Sequence, residues 1–415
     1  MNIFFIPSWY ITRKKPLSGI FFREQIDLLL REKPDLNAYV SSTNYLSISP
    51  RSLIKGIKSI SEHFGDRSFN GVFDCRPDLN IITSQDSIFR TSRKFLDGNM
   101  RAAIKKAARD FEDAEMKLGK IDAIIAFSVD PAGVIGRALR ESKNVPLIIV
   151  EHMGPFPIPS WLDASGKIAE SLVHAWQEAD VVAAVSQCLA EEVSPYCGGK
   201  PVYVLHNPLS KIFEDVSRSI VNSGPRAKSE KTILTVSRLL KSKGIGELIE
   251  AFSFINDSEY VLKIIGYGPD QKVFEAMAKT RHVGERVKFL GPKSRQEVRE
   301  KMEEAEFLVM PSHSETFSVV CIEAIACGTP VIATECGGPN DIVTARVGML
   351  VPPMDSYQLK VAMDKMAREA GKFDPSVLAA DALQRFSASV FTSNLYRIIG
   401  QVLENRTDDA SKPKN

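Results

Sequence analysis

The stretch Met310–Thr334, MPSHSETFSVVCIEAIACGTPVIAT, constrains this chain more than any other. It reads as the end of a buried strand, a loop, a helix, and a second apolar strand after Gly328 and Pro330. Glu315 stands in the loop, and Glu323 lies eight positions later inside the expected helix. A helix N-terminus presents unpaired N–H groups and a partial positive charge, a natural seat for phosphate. With the helix expected from Thr316 onward, Thr316, Phe317 and Ser318 supply those N–H groups. The two carboxylates are then separated by about 12 Å of helical rise. The acid pair of a glycoside hydrolase needs about 5–9.5 Å, so that chemistry does not fit. The spacing suits two hydroxyl-rich groups at the ends of a diphosphate. A sugar at one end and a ribose at the other make a nucleotide sugar.

Glu315, seven residues, then Glu323, followed by Ala324, Gly328, Pro330 and Val331, resemble a known signature. It is the E-x7-E motif of retaining glycosyltransferases with the GT-B fold, in their large fourth family (glycosyl transferases group 1). Bare spacing carries little, because two Glu eight apart also arise as a solvated pair on a surface helix. The strand–loop–helix–Gly-x-Pro–strand setting makes the match specific. The resemblance covers nearly the whole chain, is densest from Thr232 to Pro353, and thins between Ser42 and Gly119.

A chain of 415 residues exceeds one ordinary core and points to two domains. A net charge of +2 gives no signal for nucleic acid or acidic partners. Cys75, Cys188, Cys197, Cys321, Cys327 and Cys336 form no C-x-x-C pair, as expected of reduced thiols in a cytoplasmic protein. No apolar run approaches the roughly 20 residues that cross a bilayer. The opening MNIFFIPSWY reads as a first buried strand, being too quickly polar for a signal peptide.

Short apolar runs alternate with amphipathic stretches, the pattern of an α/β protein with parallel sheets covered by helices. Strands are expected at Asn2–Pro7, Asn37–Ser41, Ala123–Ser128, Leu147–Glu151, Val181–Ser186 and Val202–Leu205. A second set follows at Thr232–Ser237, Tyr260–Ile265, Val287–Leu290, Phe307–Pro311 and Val331–Thr334. The GT-B resemblance implies two facing Rossmann-like domains with a cleft between them. We expect residues 1–207 to form the acceptor-side domain and 208–388 the nucleotide-sugar domain, with a hinge near Asn207–Lys211. By resemblance, a helix over 389–405 packs back on the first domain. The polar tail 406–415 is expected to be disordered.

Arg238 and Lys243 follow a strand's carboxyl end, where guanidinium and ammonium together neutralise a diphosphate. A solvated basic turn is the plain alternative. In the resembled family matching residues replace a metal ion, and no D-x-D motif occurs here. Gly266, in Gly266-Tyr267-Gly268-Pro269, permits close backbone approach, and a tight turn explains it as well. By resemblance this loop and Leu290–Gly291 flank the nucleotide base, leaving uracil and guanine equally open. Gly19, after Pro16-Leu17-Ser18, opens a helix whose N–H groups would face the diphosphate; the family often has two adjacent glycines there. His152 ends a strand before a proline-rich loop, and in similar enzymes a His in this place contacts the donor sugar; a structural His fits equally. Asp180–Ser186 resembles a family strand whose terminal Ser caps the next helix. At Asp341, after Gly337-Gly338-Pro339, the family usually has Glu.

The expected activity is transfer of a hexose from a UDP- or GDP-linked sugar to the hydroxyl of a glycan or lipid-linked acceptor. Retention and independence of metal and cofactor are implied by resemblance. Glu315 would orient the sugar, Glu323 the ribose, and Arg238, Lys243 and His152 complete the catalytic set. The family's common setting is synthesis of bacterial surface polysaccharide or lipopolysaccharide. The alternatives are a nucleotide-sugar epimerase on the same fold and a non-catalytic sugar-nucleotide or polysaccharide-binding protein. Finally, Arg90, Arg93, Lys94, Arg101, Lys105, Lys106 and Arg109 interleave with Phe89, Phe95, Leu96, Met100, Ile104 and Phe111. Such a stretch can lie on an anionic membrane at the inner face, or pack on a core with a solvated basic face.

Overall fold

A computed structural model describes residues 1–11, 19–47, 71–76, 79–90, 96–224 and 231–411. The first sheet holds β1 (Asn2–Pro7), β2 (Asn37–Ser47), β3 (Gly71–Arg76), β4 (Ile81–Arg90), β5 (Ala123–Phe127), β6 (Leu147–Glu151), β7 (Val181–Ala184) and β8 (Val202–Val204). Its order is β3-β4-β2-β1-β5-β6-β7-β8, all parallel except β3 against β4. The second sheet holds β9 (Thr232–Val236), β10 (Val261–Ile265), β11 (Val287–Gly291), β12 (Phe307–Met310), β13 (Val331–Thr334) and β14 (Gly348–Val351). It is wholly parallel in the order β11-β10-β9-β12-β13-β14. This is the doubly wound order of a dinucleotide-binding sheet, and the two sheets with their helices form the GT-B fold.

The central strands explain why apolar runs were so readable. Ala123–Phe127 and Val331–Thr334 are buried along their whole length, because helices cover both faces. In each sheet the strand order reverses beside the first strand, between β1 and β5 and between β9 and β12. Ligands of such sheets sit in the crevice at that reversal, beyond the carboxyl ends. The loops after β9 and β12 carry Arg238, Lys243 and Glu315.

Three strands had no expectation in the sequence. β3 and β4 lie where polar residues interrupt the apolar pattern, as in IITSQDSIFR, and β14 is only four residues that begin with glycine. The last helix, Ala388–Ser411, buries Phe391, Leu395, Ile398, Ile399 and Val402 among Ile26 and Leu29 of the helix Ile20–Glu32. It runs on to Ser411, so 406–411 is helical where disorder was expected. Extension of an existing helix needs no new nucleus. Residues 412–415 lie outside the described part, as do Pro16–Ser18 and Arg93–Phe95.

Within the basic stretch, Lys106 requires a correction. In the helix Leu96–Leu118, Phe111 is fully buried and Lys106 is 2% exposed. Lys106 pairs with Asp110 at 2.5 Å and donates to the Ser42 carbonyl at 2.9 Å. Ala103, Ala107, Phe111 and Ala114 face the core, leaving Arg101, Lys105 and Arg109 on an exposed edge.

Candidate active site

β9 and β10 continue pairing past their formal ends. Ser237 N–H donates to the Ile265 carbonyl and Leu239 N–H to the Tyr267 carbonyl, both at 3.0 Å. This zipper explains Gly266, at φ 140°, where an added Cβ would stand 1.8 Å from the Ser237 carbonyl oxygen. Gly266 N–H in turn donates to Gly291 at 3.0 Å, which places Leu290 beside this loop. The arrangement leaves Arg238 exposed at the mouth of the crevice, with no ion pair among the described residues.

Lys243 closes a short turn, Lys241–Lys243, that packs against the end of β12. Its Nζ lies 2.6 Å from Glu315 Oε1, and Ser312 Oγ donates to the same oxygen at 2.8 Å. His313 braces the turn from below, with Nε2 2.8 Å from Glu247 and its N–H on the Ser242 carbonyl at 2.9 Å. Ser312 and His313 belong to the site, and sequence reading passed over them. Ser312, three residues before Glu315, was within its reach.

The helix after Glu315 begins later than expected. Glu315 N–H donates to Cys336 at 3.1 Å and its carbonyl accepts from Gly338 N–H at 2.8 Å, a bridge that holds Glu315 extended. Ser318 then adopts φ 86°, ψ 76°, and the helix is Val319–Ala326. Thr316, Phe317 and Ser318 therefore form its approach and not its first turn. Among the described residues the backbone N–H groups from Thr316 to Val320 meet no acceptor. Five successive free donors beside a lysine are a strong anion seat.

Glu323 is buried inside that helix. Arg295 Nη2 lies 2.7 Å from its Oε1 and also donates to Ser210 at 2.8 Å, while Nη1 reaches Glu24 at 3.3 Å. Burial pushes Glu323 up to about 7, against the pull of Arg295. Arg295 and Glu24 were not foreseen; they lie 271 positions apart.

Across the crevice, His152 is 8% exposed among Phe21, Phe22 and Phe127. Its Nε2 has no partner, and burial lowers its pKa to about 3, so the ring is neutral. Glu151 anchors the loop by accepting the N–H groups of Val129, His152 and Met153, each at 3.0 Å. Burial raises Glu151 to about 7. The same loop meets the segment with the free N–H donors, since a Cβ on Gly154 would lie 2.4 Å from Thr316 Cγ2. Gly19, at φ 72°, caps the helix Ile20–Glu32 and crowds the Trp9 carbonyl, where a Cβ would sit 2.6 Å away.

A second interdomain contact went unread. Asp341 accepts from Gln187 N–H at 2.7 Å and sits 3.1 Å from His206 Nε2, whose ring stacks on Phe317 at 5.5 Å. Burial works the other way, but these hydrogen bonds hold Asp341 below the usual carboxylate range. Ser186 caps its helix as expected, accepting Leu189 N–H at 3.2 Å. The described residues contain no group of three or more His, Cys, Asp or Glu placed to hold a metal ion. No helix among them is long and apolar enough to cross a membrane.

Comparison with known proteins bears on the same segment. Residues 217–373 match the family model described as glycosyl transferases group 1. The chain is 25% identical over 379 residues to the "Putative teichuronic acid biosynthesis glycosyltransferase TuaC" of Bacillus subtilis (strain 168), covering 89% of this chain and 90% of that one. Among solved structures, sucrose-phosphate synthase from Thermosynechococcus elongatus superimposes with a TM-score of 0.70 at 17% identity, covering 98% and 100% of the two chains. HepE of Anabaena in complex with UDP gives 0.68 at 19%, covering 97% and 100%. The segment 217–373, with Lys243, Glu315 and Glu323 among its residues, is thus similar to glycosyl transferases group 1, and the chain has the GT-B fold.

Proposed function

We propose that the protein transfers a hexose from a UDP- or GDP-linked sugar to an acceptor hydroxyl, with retention and without a metal ion. The observation that carries this reading is the Lys243–Glu315 pair at 2.6 Å, set beside five free N–H donors. That seat takes the diphosphate, and Arg238 at the crevice mouth closes on it. The bond from the anomeric carbon to the β-phosphate oxygen breaks, and the charge developing on that oxygen is met by Lys243, Arg238 and the backbone donors. Glu315 orients the sugar hydroxyls, and Glu323 takes the ribose. Gly266 and Leu290 flank the base. His152, neutral and with an unpartnered Nε2, offers a hydrogen bond to the donor sugar. The acceptor hydroxyl attacks the same face as the leaving group and passes its proton to the departing phosphate oxygen.

UDP bound in HepE supports a UDP-linked donor, and the name of TuaC supports a glycan acceptor in surface polysaccharide synthesis. The acceptor-side domain carries the exposed edge of Arg101, Lys105 and Arg109, which suits a lipid-linked acceptor at an anionic inner membrane face. A thermal-shift screen of UDP, GDP, ADP and their sugars tests the donor class. A ligand at a hundred times its dissociation constant stabilises the fold by about 2.7 kcal/mol. The reading fails if no nucleotide sugar shifts the transition. It also fails if the selected donor alone is converted to a new sugar nucleotide, the signature of an epimerase.

A further inference from the structure

Arg295 stands where the two domains and the hinge meet. Its guanidinium lies over the Phe213 ring at 5.6 Å and reaches Glu24 of the first domain, Ser210 of the hinge and Glu323 of the second. A buried carboxylate keeps its charge only if a cation or several donors compensate for lost water. Glu323 is 7% exposed, and Arg295 is the cation beside it. The other groups facing Glu323 work against ionisation or are neutral. Glu24 raises its pKa further, Ser210 shares the same guanidinium, and the nearby Cys327 thiol is itself pushed well above its ordinary value by burial.

We infer that Arg295 is a positioning residue that favours the ionised form of Glu323, aims it at the nucleotide's ribose, and ties that carboxylate to the first domain through Glu24. The inference rests on the reading of Glu323 as the ribose ligand. An ionised carboxylate accepts hydroxyl donors about twice as strongly as a neutral acid. Arg295 therefore acts on the nucleotide through Glu323 and needs no contact with it. The adjacent bond of Gln25 Nε2 to Asn207 at 2.7 Å joins the same helix to the hinge, so the link sits at the pivot between the domains.

The test is calorimetric titration of the intact protein with UDP and with GDP at pH 7 and pH 9. Arg295→Met is expected to weaken binding of the preferred diphosphate about tenfold at pH 7, with most of the loss recovered at pH 9. Higher pH favours the ionised carboxylate even without its cation. Arg295→Lys retains a charge and should fall between the two, which also covers failure of the Met variant to fold. A loss equal at both pH values, or no loss, overturns the inference. Glu323→Gln is measured in parallel. If it leaves diphosphate affinity unchanged, the ribose reading falls and the role of Arg295 falls with it. If Glu323→Gln weakens binding and Arg295→Met does not, only the role of Arg295 is refuted.

Discussion

Gly338 offers a perturbation of the phosphate seat that touches no catalytic group. Its backbone lies at φ −52°, ψ −36°, open to any residue, so alanine meets no conformational objection. The objection is space: a Cβ there would stand 2.2 Å from Phe317 Cα and 2.4 Å from Phe317 N. Carbon pairs rest at about 3.5–4.0 Å, so the Phe317 backbone must retreat by more than about 1 Å. Phe317 is 2% exposed and stacked on His206, which leaves it little room. Overpacking of this kind costs about 1–3 kcal/mol. For a domain of this size each kcal/mol lowers Tm by about 2–4 °C. The rate should suffer more than stability, because the displaced segment carries the free N–H donors, and a 1 Å misplacement can cost about a hundredfold. Gly338→Ala is therefore expected to fold, melt a few degrees early, and lose about a hundredfold in kcat with the donor chosen by the screen. Gly371→Ala, with nothing within 4 Å, is the control and should match the unmodified protein in both measurements. A kcat within threefold of wild type would refute the claim that this loop seats the diphosphate.

Arg238→Ala should weaken UDP or GDP binding by about 1.5–3 kcal/mol, with a smaller loss for the monophosphate by calorimetry; equal losses would place Arg238 outside the clamp. Arg101→Glu with Lys105→Glu should abolish salt-sensitive sedimentation with anionic vesicles and leave nucleotide affinity intact. If the unmodified protein stays in the supernatant at low salt, that surface has no membrane role. Lys106→Ala, by contrast, strips a buried cation from Asp110 and should destabilise the first domain by about 3–5 kcal/mol in urea unfolding. His152 is held neutral by burial, with its pKa lowered to about 3. Its contribution is present above the unfolded value of about 6.5 and is lost as pH falls toward 3. His152→Gln should therefore lose less stability than wild type between pH 6.5 and pH 4; an equal loss would show that the ring takes up its proton as readily in the fold as in the unfolded chain.

What the sequence disclosed follows from which forces leave a local record. Buried parallel strands such as Leu147–Glu151 and Val331–Thr334 are continuous apolar runs, so their positions could be read directly. The Glu315–Glu323 spacing and the basic pair after β9 are local too. The start of the helix at Val319 was not legible, because it depends on Glu315 bridging to Cys336 and Gly338, over twenty residues away in the chain. Arg295, Glu24, His206 and the contacts of Asp341 were missed for the same reason: single polar residues, brought together only by domain packing. Lys106 shows the reverse error. Its charge marked it as a surface residue, whereas Asp110 and the Ser42 carbonyl satisfy it inside the domain.

The Lys243–Glu315 pair leads to one more consequence. The ammonium proposed to meet the diphosphate is bound to the carboxylate proposed to orient the sugar, both about a fifth to a quarter exposed. Diphosphate must compete with Glu315 for that ammonium, and it also meets the carboxylate's like charge. Removing the carboxylate's charge should then tighten nucleoside diphosphate binding, while turnover collapses because the sugar loses its guide. A partly exposed ion pair is worth up to about 1 kcal/mol, so Glu315→Gln should bind UDP or GDP about two- to fivefold more tightly. In a Lys243→Met background the same substitution should bring a smaller gain, since no ammonium remains to be released. The cycle is closed by calorimetry on the four proteins, with kcat measured for Glu315→Gln alone. Weaker diphosphate binding by Glu315→Gln, in the presence of Lys243, would mean that the carboxylate holds the ammonium in place for phosphate and does not compete with it.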